Sequence, residues 1–277
     1  MAITNFNQEL WSALILQATR EKIAYQNVVR NIGQVNGTKV HFGGIDAVTI
    51  GDYVKNQDMT LQDASDSGLT LDLNSSKYFN ISLEDLDKIT SNAALMTEII
   101  RKGTDGLRNE AEKYIASLHG GAGITSGFGS TTTPLEINSA NVNEIMLEAS
   151  AALRKASADT QTLWAVIPVF MWRQIVQADE KLKTDNLEVM SDGFVGRKYG
   201  LNIHVSNFVA NTDGSNYKIM IGDGDAIRYG QNVDKVEAIR HPSRFSDILR
   251  GLFCYGALVS RPETLLTISA NEAAEPE

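Results

Sequence analysis

Between Thr38 and Ser82 the chain alternates apolar and polar residues with a period of two. Val40 and Phe42, Val48 and Ile50, then Leu69, Leu71 and Leu73, then Phe79 and Ile81 each fall on one face. A polar stretch from Asp52 to Gly68, rich in Asp, Ser, Gln and Asn, lies between them. The pattern predicts one long hairpin with a loose, acidic tip. A two-stranded hairpin cannot bury both of its faces alone in water, so this one needs a partner surface.

The flanks suggest where such a surface could come from. Residues 5–30 read as an amphipathic helix: Phe6, Leu10, Leu14 and Ala18 recur every four residues, Trp11 and Ile15 sit beside them, and Ile23, Val28 and Val29 follow. Asn5 supplies a cap and Gly33 a stop. Two readings stand, an ordinary packed N-terminal helix and an arm whose apolar face docks on a neighbouring subunit. After the hairpin a helix is expected from Glu84 to Leu118, with a break near Ser91. Leu95, Ile99, Gly103, Leu107, Ala111, Tyr114 and Leu118 form its stripe. Gly103 costs roughly 1 kcal/mol against Ala, and on the stripe it suits close approach of another backbone. The alternative is a simple break at Gly103–Gly106. Unbroken, residues 92–118 would span about 40 Å, whereas a compact chain of this length has a radius of gyration of about 19 Å. The shape implied is flat and extended.

The second half reads as mixed α and β. His119–Pro134 is rich in Gly, Ser and Thr and is expected to be a flexible linker. Asn141–Lys155 is a helix with Ile145 and Leu153 inward. Leu163–Ile167 is a buried strand, and Pro168 fits the first turn of a helix over Val169–Ala178. Short strands are expected at Leu201–Val205 and Lys218–Ile221, with a turn at Thr212–Gly214. Val233–Arg240, Phe253–Val259 and Leu265–Ile268 follow, before an acidic, frayed tail.

Charge and composition narrow the function. The 277 residues carry a net charge of −9, with 43% hydrophobic residues and one cysteine. That is enough for a sizeable core in one large domain or two modest ones. No run of 18 apolar residues exists, and the opening MAITNFNQEL lacks the basic-then-apolar order of an export signal. A lone cysteine forms no internal disulfide. The chain reads as a soluble protein of a reducing compartment with no membrane partner. Residues 41–83 hold two Lys against six Asp, and nothing resembles the basic footprint of a sequence-reading DNA-binding protein.

Enzymatic constellations are weak. Cys254 lies in the apolar run Leu252–Val259, where a buried, inert thiol is the default. A hydrolase pairing Cys254 with His241 has no local support. The four histidines, His41, His119, His204 and His241, share no metal-ligand spacing. Asp223 and Asp225 in Gly222-Asp223-Gly224-Asp225 lack the calcium-loop pattern and suit a helix-starting turn. Gly120-Gly121-Ala122-Gly123 follows a helix rather than a strand, so it makes no phosphate cradle. No catalytic residue, cofactor or metal is expected.

The order of these parts resembles the major capsid proteins of tailed bacteriophages, whose fold is named after phage HK97, and especially the branch related to the phage P22 coat protein. Leu10-Trp11-Ser12-Ala13, Asn31-Ile32-Gly33 and Gly37-Thr38-Lys39-Val40 resemble that branch's entry into its hairpin. Val48-Thr49-Ile50-Gly51-Asp52-Tyr53 and Leu71-Asp72-Leu73 resemble the hairpin strands, and Lys77-Tyr78-Phe79-Asn80 with Glu84-Asp85-Leu86-Asp87 the passage to the helix. Val166-Ile167-Pro168, Gly193-Phe194-Val195-Gly196-Arg197, Gly200-Leu201 and Val205-Ser206-Asn207 are similar to the axial domain. The resemblance covers about residues 5–268.

The resemblance implies an α+β, HK97-like capsid fold: an N-terminal arm (1–37), an extended hairpin loop (38–82), a peripheral domain with a long spine helix (83–160), an axial domain (161–232), return strands to the peripheral domain (233–268) and an acidic tail (269–277). It implies a shell of hexamers and pentamers around double-stranded DNA, assembled in the host bacterial cytoplasm, with the hairpin lying over a neighbouring subunit. Expected inter-subunit contacts are Phe6, Leu10, Trp11 and Leu14 of the arm and Val48, Ile50, Tyr53, Lys55, Leu69, Leu71 and Leu73 of the hairpin. Leu95, Ile99, Gly103, Leu107 and Ala111 would pack the spine helix. Implied partners are other copies of the chain, a portal, a separate scaffolding protein or none, a decoration protein, and packaged DNA through non-specific contact. The prototype's lysine–asparagine cross-link is not expected. Lys55 lies among Asp52, Asp58, Asp63 and Asp66, which favour its charged ammonium over the neutral amine that attack requires. The rival with the same fold is an encapsulin, enclosing protein cargo instead of a genome.

Overall fold

The computed structural model describes residues 24–35, 37–43, 50, 52–53, 55, 58, 68–84, 93–178, 194–211, 214 and 216–273. The first half contributes helix α1 (Ala24–Val28), strands β1 (Arg30–Gln34), β2 (Lys39–Phe42), β3 (Leu69–Asp72) and β4 (Ser75–Glu84), and helix α2 (Ala93–Ser117). The second half contributes β5 (Leu135–Ile137), α3 (Val142–Lys155), β6 (Trp164–Ile167), α4 (Val169–Ala178), β7 (Phe194–Lys198), β8 (Leu201–Val205), β9 (Ala210–Asn211), β10 (Tyr217–Gly222), β11 (Ile227–Arg240), β12 (Ser246–Val259) and β13 (Leu265–Glu272).

Three sheets result. The largest has the order β5-β13-β10-β6-β8-β7, with β9 pairing β10 beside that path. Within it β5 runs parallel to β13 and β6 parallel to β8, and the other pairs are antiparallel. All four residues of β6 are buried, and so are Leu265 to Ala270 of β13. Consecutive buried residues point to opposite faces, so both faces of this sheet's centre are covered. Helix α3 buries Val142, Ile145, Met146, Ala149 and Leu153 at spacings of three and four, the amphipathic pattern read from the sequence. The Trp164 indole N–H, fully enclosed, donates to the Asp223 carbonyl at 2.7 Å.

The second sheet has the order β1-β11-β12-β4, with β1 parallel to β11 and the remaining pairs antiparallel. β11 and β12 are each 14 residues long, about 46 Å of strand. The expected strands Val233–Arg240 and Phe253–Val259 are therefore parts of one long hairpin. The third sheet is β2 against β3, with Val40 opposite Leu71 and Phe42 opposite Leu69.

This corrects the single-hairpin reading of 38–82. The pairing partner of β2 ends at Asp72, and after Leu73-Asn74 the chain enters the second sheet as β4, opposite β12. The period of two runs through both strands without marking the change of partner. Glu84, expected to begin a helix, is the last residue of β4 and pairs with Ser246. Helix α2 is then continuous for 25 residues through Gly103 and Gly106. Gly103 does admit a close neighbour, although side chains rather than backbone: a Cβ there would lie 3.4 Å from Ile81 and 3.9 Å from the Phe79 ring.

Most of the helix expected over 5–30 lies outside the described residues. Its described end is α1, and Gly33, expected to stop it, sits inside β1 with φ +86° where the register against β11 shifts. The stretch 119–134 is not a free linker. A 3₁₀ turn at Leu118–Gly121 is followed by backbone bonds from Gly123 N to Pro262 O, Ile124 N to Leu265 O and Ser269 N to Phe128 O. Phe128 is buried, and the Lys218 ammonium reaches Thr131 Oγ1 at 3.0 Å and Ser269 Oγ at 2.9 Å. Glycine is needed at 123 because a Cβ would lie 2.6 Å from the Pro262 carbonyl oxygen. Small, polar composition here serves close packing against β13 rather than freedom.

Candidate inter-subunit surfaces

The cross-strand register of the second sheet divides its side chains between two faces. Phe79, Ile81, Gly251, Phe253 and Tyr255 share the inner face, where Gly251 makes room for the Phe79 ring and α2 lies across. Tyr78, Asn80 and Ser82 of β4 share the outer face with Ile248, Arg250 and Leu252 of β12 and Glu237 and Ile239 of β11.

One end of the outer face is covered by the chain itself. Gly230 and Gly256, opposite each other on β11 and β12, expose bare backbone there, and the root of the β2–β3 hairpin lies on it. Leu71 and Leu73 approach Gly230, a Cβ at Gly256 would run into the Asp72 carbonyl oxygen, and Phe42 stacks on the Arg228 guanidinium with 4.4 Å to the ring centroid. Leu71 is 1% exposed and Leu73 is also buried. Both were expected to touch a neighbouring subunit, and the structure turns them into their own chain instead. The partner surface that the hairpin root needs is supplied by β11 and β12.

The other end of that face is bare. Tyr78 is 77% exposed, and with Asn80, Glu237, Arg250, Gly251 and Leu252 it lines a mainly apolar groove of about 360 Å³. Glu237 and Arg250 are ion-paired across the strands, a surface pair worth at most about 1 kcal/mol. At the β11–β12 turn Phe245 is 84% exposed, and Ile239 beside it is partly so. Ile50 is 95% exposed, Tyr53 and Lys55 are exposed, and Leu69 marks where the hairpin leaves its support.

The remaining expected contacts divide three ways. Phe6, Leu10, Trp11, Leu14 and Val48 lie outside the described residues. Leu95 and Ile99 belong to α2, but their side chains are outside the described set. Leu107 and Ala111 are buried in the main core. Tyr78 and Phe245 were missed as surface residues. The signal for Tyr78 was present, since the face opposite Phe79 and Ile81 had to go somewhere. That for Phe245 was an aromatic residue directly after the turn-like stretch Pro242–Arg244.

The residues weighed for chemistry are not assembled. Cys254 is half-buried on the outer face with its Sγ 3.3 Å from Ser76 Oγ. His241 lies at the turn, beyond the Arg240–Asp247 pair, and Cys254 is seven residues farther along β12, about 23 Å. Asp223 does not start a helix. It is buried in the β10–β11 turn, accepting the Asp225 N–H at 3.1 Å and the Thr264 hydroxyl at 3.2 Å, with Arg261 facing its other oxygen at 3.5 Å. Among the described residues no group of three His, Cys, Asp or Glu side chains could hold a metal, and no helix is long and apolar enough to cross a membrane.

No protein-family model and no curated protein matches the chain. Solved structures do match over nearly its whole length. A protein of Mycobacterium phage Che8 is 23% identical, with 96% of this chain and 98% of that chain covered and a TM-score of 0.68. The capsid of cyanophage P-SCSP1u is 10% identical over 92% and 90%, with a TM-score of 0.70. The crystal structure of a virus-like particle from Pyrococcus furiosus is 14% identical over 95% and 100%, with a TM-score of 0.58. The chain has the α+β, HK97-like fold of phage capsid subunits, as the order of its parts implied.

Proposed function

We propose that this chain is the major capsid protein of a tailed bacteriophage, closing in many copies into an icosahedral shell around double-stranded DNA. The observation that carries the reading is the bare outer face around Tyr78 and Leu252, on a chain of capsid fold whose described tip residues Ile50 and Tyr53 are also exposed. Apolar surface of this kind marks an interaction site on a soluble protein. Neighbouring copies cover it, with the arm residues Phe6, Leu10, Trp11 and Leu14 and the tip residues Val48, Ile50, Tyr53 and Leu69 among the contacts. Lys55 is an exposed tip residue, and the shell holds without covalent cross-links. A portal, a scaffolding protein and a decoration protein are the further partners of this reading, with assembly in the host cytoplasm and the mature protein in the virion. The kinship with the P22-related branch rests on the sequence motifs.

Electron microscopy of the purified protein tests the proposal. Closed shells are expected, filled with double-stranded DNA when recovered from infected cells. Shells that hold a protein cargo in uninfected cells would move the assignment to an encapsulin. Subunits that stay dispersed with and without a co-expressed scaffolding protein would overturn it.

A further inference from the structure

One side chain fastens the exit of the N-terminal arm to the long helix. Glu112, on α2 and 3% exposed, accepts the backbone N–H of Tyr25 on its two oxygens at 3.0 and 3.2 Å and that of Gln26 at 3.1 Å. The Gln26 side-chain amide donates to the Tyr229 hydroxyl at 3.1 Å, which donates to Gln231 Oε1 at 3.2 Å. A buried hydrogen-bonded path therefore runs from α2 through α1 to β11.

Among the described residues few charges reach this carboxyl. Among the described residues, α2 offers Arg108, one turn away and ion-paired with Asp105 at 3.1 Å. α1 offers the Tyr25 hydroxyl, and β11 offers the Tyr229 hydroxyl with Tyr255 of β12 beyond it. Burial raises the Glu112 carboxyl to about 7, against the opposing pull of the two backbone amides and Arg108. Protonation need not break the attachment, since a neutral carboxyl keeps a carbonyl oxygen that accepts from an amide.

We propose that Glu112 is a proton-linked latch that holds the arm's exit segment to the long helix more tightly in its protonated than in its ionised form. Releasing α1 would return the carboxyl to water and to ordinary acidity, so docking takes up a proton. Acid then tightens the junction and alkali loosens it, between the ordinary carboxyl range and about pH 7. A carboxylate held by an ion pair would respond in the opposite sense.

Hydrogen exchange at the Tyr25 and Gln26 amides of the full-length chain tests this, with rates corrected for intrinsic exchange. Protection should rise by up to about tenfold per pH unit as the pH falls from 7 to 5. Glu112→Gln should be well protected and flat with pH, and Arg108→Gln should keep the dependence with its midpoint moved upward. Protection independent of pH in the natural chain, or a slope that survives in Glu112→Gln, would overturn the latch. If Glu112→Gln does not fold, an unmoved midpoint in Arg108→Gln would do the same. The junction lies within one chain, so its failure would leave the capsid reading, tested by particle formation, untouched.

Discussion

In the seven-stranded sheet β6 and Leu265–Ala270 of β13 are unbroken runs of buried residues, whereas in the four-stranded sheet β4 alternates Phe79 and Ile81 inward with Tyr78, Asn80 and Ser82 outward. The first sheet completes its burial with elements of its own chain. Among the described residues, the second is finished on one face by α2 and on the other where Leu71 and Leu73 lie on Gly230 and Gly256 and Phe42 lies on Arg228. The contrast separates side chains that make the subunit from side chains left for something else.

The largest expected effect lies in the closed sheet. Trp164→Ala removes a fully buried ring and its bond to the Asp223 carbonyl, and should cost about 3–5 kcal/mol of subunit stability by chemical denaturation. A cost near zero would mean that this sheet is not the closed core described above. The Glu112 carboxyl gives the next effect. Burial raises it from the ordinary carboxyl range to about 7 in the folded chain, so its favourable contribution is complete below the ordinary carboxyl range and lost as the pH rises through 7. The difference in stability between the natural chain and Glu112→Gln should change by up to about 3 kcal/mol across that window.

At the covered end of the open face, Gly256→Ala drives a methyl group into the Asp72 carbonyl. It should cost about 1–3 kcal/mol and raise hydrogen exchange in β3. The smallest effect on the subunit is expected where the face is bare. Tyr78→Ser and Phe245→Ser should each change denaturation by no more than about 0.5 kcal/mol, while shell formation falls sharply. Stability loss at Tyr78 comparable to that at Trp164 would erase the distinction between the two sheets.

Legibility followed the same division. Helix α3, β6 and α4 were readable to within a residue or so because periodicity and Pro168 marked them locally. β1 and β5 were missed: each is a short strand joined in parallel to one far along the chain, and no local pattern announces a distant partner. The alternation of 69–82 was correct in face but silent about pairing, which is why Leu71 and Leu73 were assigned outward. Two glycines about 160 and 185 residues further on decide their fate. Glu112 carried no sequence signal, since an acidic residue next to a helix stripe usually meets solvent.

The pairing of β4 with β12 has a consequence for the order of synthesis. Ser75–Glu84 can find its ladder only after Ser246–Val259 has left the ribosome, and the seven-stranded sheet waits longer still for Leu265–Glu272, so neither sheet closes until the C-terminal strands are made. The groove at Tyr78 and Leu252 therefore does not exist on a chain that ends before β12. Chains cut short before β12 lack the surface that longer copies present, and on the function proposed above a growing shell would exclude them without any separate inspection step.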